Sequence, residues 1–338
     1  MSQITLVLPY LLPLPEFAPD LVRALQTPML ASLLARSTAH ERGSAPDTSL
    51  ALPHEQWLAR ALGLSPEGRP AFAAAAMRGF GLEPAGGTWF IVSPAHIQIA
   101  RSHSMMTDAR HLGLLEEESR ALYDAARGLC EEIGRPLLYG DAGTWFLRAD
   151  DWAGIGIATP DTVAGMDLTD FVPRGAAALA YRRLQNEVQM AWYTHPVNTA
   201  REARRLPVVN AFWLWGAASD PGPAAGNLAS TGVPGWLRAL SNRHLDSPGA
   251  LDGALAQDGM LVVGSLADAA LAADWHAWLQ GVQQLEEKLF APLHAALVQG
   301  RIRKLRLVLS SREAIAEFTT TAMAQRAFWR RPTLERLT

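Results

Sequence analysis

Three short, largely apolar runs set the strongest limit on what this chain can fold into: Ile4–Leu8, Met260–Val263 and Leu305–Leu309. They do not show the apolar–polar alternation of a strand with one wet face, so each is read as a strand buried on both sides. Pro9 ends the first of them. Between the second and third lies the clearest helical pattern in the chain, 274–297, with Trp275, Trp278, Val282, Leu285, Leu289 and Leu293 on one stripe. Near the first run, 21–34 is apolar at helical spacing, and Thr27-Pro28 divides it into two pieces. Strands alternating with helices in this order predict an α/β fold with a mostly parallel sheet.

The middle of the chain reads differently. Strands are expected at 88–92, 95–100, 136–139 and 144–148, around a helix at 115–133 that Gly134 should terminate. This is a compact α+β module of about 85–165, inserted into the sheet-forming chain. Helices are also expected at 54–62, 70–77 and 176–192, whereas 38–49 and the Gly-, Pro- and Ser-rich 217–234 read as loops. The domain expectation is a discontinuous core of 1–84 plus 206–338 with 85–205 inserted.

With 49% hydrophobic and 19% charged residues in 338, the chain can bury a sizeable core. A net charge of -3 argues against a dedicated nucleic-acid binder. Cys130 is the single cysteine, which excludes an internal disulfide and a Cys-rich metal site and fits a reducing, cytoplasmic setting. The apolar N-terminus has no basic flank and is broken by prolines, so it reads as a buried strand and its exit rather than a signal peptide. No apolar run approaches the roughly 20 residues of a membrane helix, so no membrane partner is expected.

The densest group of polar and aromatic residues lies between Asn186 and Gly216. Pro196 suits the first turn of a helix, with His195 at its cap and Asn198 and Arg201 one turn apart. An Asn and an Arg near a helix start can hold a phosphate or carboxylate. The same residues, with Asn210, can instead tie loops to backbone groups. Trp213 and Trp215 alternate on a strand and point the same way, either as core or as a binding platform. Further along, Arg326, Arg330, Arg331 and Arg336 accompany Phe328 and Trp329 in a basic, aromatic tail.

The string His195-Pro196-Val197-Asn198, then Arg201, Leu206-Pro207, Asn210, Leu214 and Gly216 resembles a block of the archaeal-type cofactor-independent phosphoglycerate mutases. It is more similar to a bacterial family of phosphoglycerate mutase-like, or Rpf-type (pathogenicity-factor) regulatory, proteins of type E. The strings 186–190 and 52–59 resemble that family as well. The resemblance implies an alkaline phosphatase-like α/β core, a mostly parallel sheet flanked by helices with an inserted α+β domain. It also implies two divalent metals, manganese or zinc, and a serine that is transiently phosphorylated.

The ligands that this chemistry requires are largely replaced. Where the family has an Asp after the first strand, this chain has Pro9-Tyr10; where it has Ala-Asp-His after the late strand, this chain has Ser310-Ser311. Glu286 matches a family Glu on the long helix. The remaining candidates are His40, Asp268, Asp274 and His276 as metal ligands and Ser37 or Ser310 as nucleophile. A hydroxyl is a poor substitute for a carboxylate on a hard cation. The expectation is therefore a non-catalytic relative that needs no cofactor. It would bind a small phosphorylated or carboxylate ligand, or a protein partner, through His195, Asn198, Arg201, Asn210, Trp213 and Trp215. The alternative is an active phosphotransferase or phosphohydrolase using Mn²⁺ or Zn²⁺.

Overall fold

A computed structural model describes residues 2–46, 48–99, 103–219, 222, 224–250 and 257–338. Its strands, in chain order, are β1 (Ser2–Leu8), β2 (Ala39–Ser44), β3 (Thr88–Ala95), β4 (Ile97–Ile99), β5 (Ser104–Met106), β6 (Leu137–Asp141) and β7 (Thr144–Arg148). They continue with β8 (Ala211–Ser219), β9 (Leu228–Thr231), β10 (Arg243–His244), β11 (Gly259–Val263), β12 (Ile302–Ser310) and β13 (Ala314–Thr321). The chain separates into two units, 1–47 with 226–233 and 241–338, and 48–225 with 234–240.

The first unit is built on a seven-stranded sheet in the order β10-β9-β11-β1-β12-β13-β2. The five strands from β10 to β12 run parallel, and β13 and β2 add on antiparallel. The three apolar runs that the sequence marks are its centre: β1 lies between β11 and β12, with Leu6, Val7 and Leu8 fully buried. Helices flank this sheet. Ala18–Ala24 and Pro28–Ala35 are the two pieces expected on either side of Thr27. The long helix runs Trp275–Leu285, passes through a π turn at Glu286–Phe290, and continues as Ala291–Val298.

The π turn has a purpose in packing. The Pro28–Ala35 helix has no capping side chain of its own. Glu286, in the π turn, supplies it from the long helix: Met29 N–H donates to Oε1 at 2.6 Å and Leu30 N–H to Oε2 at 3.1 Å. A carboxylate at a helix N-terminus satisfies orphan donors and the helix dipole together. Glu286 is thus a capping group here.

Two segments expected as loops are strands. β2 is exposed along its whole length and pairs only with β13, so backbone pairing at a polar sheet edge makes it a strand without an apolar pattern. β9 is four buried residues set inside the Gly- and Pro-rich stretch, which hides it from a compositional reading. Ala100, the end of one expected strand, lies outside the described residues, as do 220, 221 and 223 in the second expected loop.

The second unit holds an antiparallel sheet, β6-β7-β3-β8, and the small hairpin β4-β5. The helices Glu116–Glu132 and Ala176–Tyr193 pack on each other; the Trp192 indole N–H donates to Leu122 O at 2.9 Å. The string holding Trp213 and Trp215 is β8, which pairs with β3. For that reason 206–225 lies with this unit and not with the seven-stranded sheet. Residues 48–84 lie here too: the helix Ala73–Gly79 packs on β3 and β8. Gly79 permits a close approach to Gly235–Ala239, since a Cβ there would sit 1.7 Å from Ala239 O. Among the described residues no helix is long and apolar enough to cross a membrane.

Candidate functional site

Parallel sheets bind ligands beyond the carboxyl ends of their strands. In the first unit those ends are Pro9-Tyr10 after β1, Gly264 after β11, and Ser310-Ser311 at β12. Ser311 closes the turn into β13, its Oγ accepting from the N–H groups of Glu313 and Ala314. Ser310 is fully buried at the strand end. Ser37, the other candidate nucleophile, lies towards the opposite end of the sheet. Its neighbour Thr38 donates to Thr319 O, and Thr319 pairs with Arg306, four residues before Ser310. At strand rise that offset is about 13 Å. Ser37 Oγ accepts from Arg336 at 2.5 Å, tying down the C-terminal segment.

Of the four candidate metal ligands, His40 stands apart from Asp268, Asp274 and His276, which follow one another after β11. His40 lies on the edge strand β2, stacked on Phe318 with ring centroids 4.4 Å apart. Four strand spacings, about 19 Å, separate β2 from β11, whose exit leads to Asp268. Asp274 caps the long helix, accepting from Ala277 N–H at 2.9 Å. His276 Nε2 lies 2.9 Å from the Gln280 amide on the exposed side of that helix. Among the described residues no three His, Cys, Asp or Glu side chains converge as a metal site would require. His40 is too far from the other three to share one metal centre with them.

The His195–Gly216 block is held together by its own polar groups. Asn198 donates to Trp192 O and Val209 O and accepts from Val209 N–H, all at 2.8–2.9 Å. Arg201, wholly buried, donates to Pro207 O at 2.8 Å, to Glu118 Oε2 at 2.5 Å and to Leu112 O. Arg204 reaches the other oxygen of Glu118. Burial pushes the Glu118 carboxyl up, but hydrogen bonds from Arg204, Leu115 N–H and Arg201 outweigh it and hold its pKa below the usual range. His195 Nδ1 accepts from Val197 N–H as a helix cap, which requires a neutral ring; burial lowers its pKa accordingly. Asn198, Arg201 and His195 therefore hold the chain in place, contrary to their expected place in an anion site.

A second polar cluster in this unit escapes the sequence reading. Arg110 is clamped by Asp108 at 2.7 Å and by both oxygens of Asp161 at 2.6 and 3.0 Å. Beside it, Glu55 Oε2 accepts from Leu52 N–H at 2.8 Å and Thr159 Oγ at 2.7 Å. Burial, then the Asp161 charge, pushes the Glu55 carboxyl up to about 8, and burial pulls His54 down to about 4. The string Leu52-Pro53-His54-Glu55 carries the only signal: a Glu at the third helical position, where a capping carboxylate belongs.

Trp213 and Asn210 lead to a different place, a cleft of about 220 Å³. One wall is apolar and comes from the β4-β5 hairpin, the 168–173 segment and β8, through Ile97, Leu168, Val172, Pro173 and Trp213. The other is a stripe of the helix Ala176–Tyr193, with Arg182, Gln185 and Gln189 at spacings of three and four. Asn210 fixes the hairpin by pairing like a strand residue: it accepts from Ile97 N–H at 2.7 Å and donates to Ile97 O at 2.9 Å. The Trp213 indole N–H donates to Ala158 O at 2.9 Å, which sets the ring in the wall. Trp215 donates to Ser93 Oγ at 3.0 Å and packs edge-on against Trp236, as core.

No protein-family model matches the chain, and no curated protein matches it. Solved structures do. A cofactor-independent phosphoglycerate mutase from Thermoplasma acidophilum aligns over 100% of this chain and 94% of its own, at 14% identity and a TM-score of 0.45. The PH0037 protein from Pyrococcus horikoshii aligns over 99% of this chain and 91% of its own, at 12% identity and a TM-score of 0.58. The second comparison shows a common fold. It says nothing of activity.

Proposed function

We propose that this chain is a non-catalytic relative of the cofactor-independent phosphoglycerate mutases, acting as a binding or regulatory protein through the cleft of its second unit. What supports the reading is the separation, in the first unit, of His40 from Asp268, Asp274 and His276, and of Ser37 from Ser310. Asp274 serves as a cap, Ser37 as an anchor and Glu286 as a cap across two helices. The resemblance of the 186–216 block supplies the family. The cleft, with its set tryptophan and its polar helix stripe, supplies a place for a small anionic ligand. Neither nucleic acid nor a membrane is a partner in this reading.

The test is metal content by mass spectrometry on protein purified without chelator, followed by phosphoglycerate turnover in Mn²⁺ and in Zn²⁺. Substoichiometric metal, an unfolding midpoint indifferent to either ion, and no turnover are expected. Turnover above background would establish the enzyme reading instead.

A further inference from the structure

We infer that the cleft between the β4-β5 hairpin and the helix Ala176–Tyr193 binds an apolar organic acid, a hydrophobic body carrying one carboxylate. This names the ligand class for the binding reading above and rests on it. Ile97, Ile99, Val172 and Pro173 give the cleft its accessible apolar surface, Ile99 and Val172 being 72% and 42% exposed, with Leu168 and Trp213 buried behind them. Covering such surface is favourable in proportion to its area, and a half-buried proline presents a flat face to a ring or a chain.

The opposite wall sets the polar end. Arg182 is exposed and forms no ion pair among the described residues, unlike Arg110, Arg201 and Arg204 in the same unit. The Gln185 and Gln189 side chains likewise make no hydrogen bond to another described residue. One guanidinium fork and two neutral amides match a single carboxylate. A phosphorylated sugar acid carries more charge than one cation neutralises, and its hydroxyls would face the apolar wall without partners. Asn210 and Trp213 keep the wall in place and are positioning residues: their polar atoms are already bonded to Ile97 and Ala158.

The experiment is calorimetric titration of the full chain with 1-naphthoate, its neutral analogue 1-naphthylmethanol, and 3-phosphoglycerate. Naphthoate should bind most tightly. Arg182→Gln should weaken naphthoate about tenfold and leave the alcohol unchanged, while Arg182→Lys restores most of the loss. Val172→Glu, at an exposed wall position, should weaken both. Equal binding of acid and alcohol, or indifference of naphthoate to Arg182→Gln, would overturn the assignment. So would no binding at millimolar naphthoate, or tighter binding of 3-phosphoglycerate. Each of these results is independent of phosphoglycerate turnover, so the binding reading and the ligand class fail separately.

Discussion

The two units use buried charge in opposite ways. In the seven-stranded unit, Glu286 is the one buried charged side chain among the described residues, and it caps a helix. The hydroxyls buried at its strand ends, Ser230, Thr231, Ser310 and Ser311, are neutral. The second unit buries His54, Glu55, Asp108, Glu118 and Arg201; Glu55 and Asp108 accept from backbone N–H groups, and Arg201 pairs with Glu118. A parallel sheet of this kind would host chemistry at its strand ends. Here the remaining buried charges lie in the other unit, where they fix the chain.

That contrast can be broken experimentally. The largest effect is expected at Arg201: Arg201→Ala leaves Leu112 O and Pro207 O without a donor and removes half of a buried ion pair, for a loss of about 4 kcal/mol in urea unfolding. A loss under about 1 kcal/mol would mean that the pair does not hold the block. Glu286→Ala should cost about 2–3 kcal/mol, because two charge-assisted caps disappear in the interior of the first unit. If Mn²⁺ stabilised wild type but not this variant, Glu286 would be a ligand and the contrast would collapse.

The Glu55 site sharpens the contrast through pH. Its folded pKa is raised to about 8 from an ordinary value of 4.5, so its contribution is complete below the unfolded value and is lost as pH rises through 8. His54, lowered to about 4, works the other way: its contribution is complete above 6.5 and lost as pH falls through 4. Between pH 6.5 and 8 only Glu55 acts. Wild type should lose up to about 2 kcal/mol across that window, and Glu55→Gln should lose little, as urea midpoints at the two pH values would show. The smallest effect is expected at Asn210. Asn210→Ala frees the hairpin edge for about 1 kcal/mol of stability and should weaken naphthoate a few-fold. An unchanged naphthoate affinity would detach the hairpin from the cleft.

Much of the first unit is legible in the sequence because its central strands are buried on both faces, so Ile4–Leu8 and Leu305–Leu309 declare themselves without neighbours. β2 is not, because a polar edge strand is made by its partner's backbone. The site is harder still. Asn198 and Arg201 have side chains that suit an anion or a carbonyl equally well; only the positions of Pro207, Val209 and Glu118 decide between them. Arg182, Gln185 and Gln189 look like an ordinary solvated helix face until the hairpin and the 168–173 segment stand opposite. The Pro at 196 does show in the sequence, because capping chemistry is local.

The order of β1 in its sheet has a consequence for how the chain is made. β1 is flanked on both sides by strands about 250 and 300 residues further along, and the second helix after it is capped by Glu286, 257 positions from Met29. At translation rates of 5–20 residues per second, β1 waits roughly 15–60 s for its neighbours. Nearly all of the second unit emerges during that delay. An apolar strand held open that long is an invitation to wrong pairing, so a nascent chain of this design should depend on chaperone cover for its first fifty residues until its last hundred arrive.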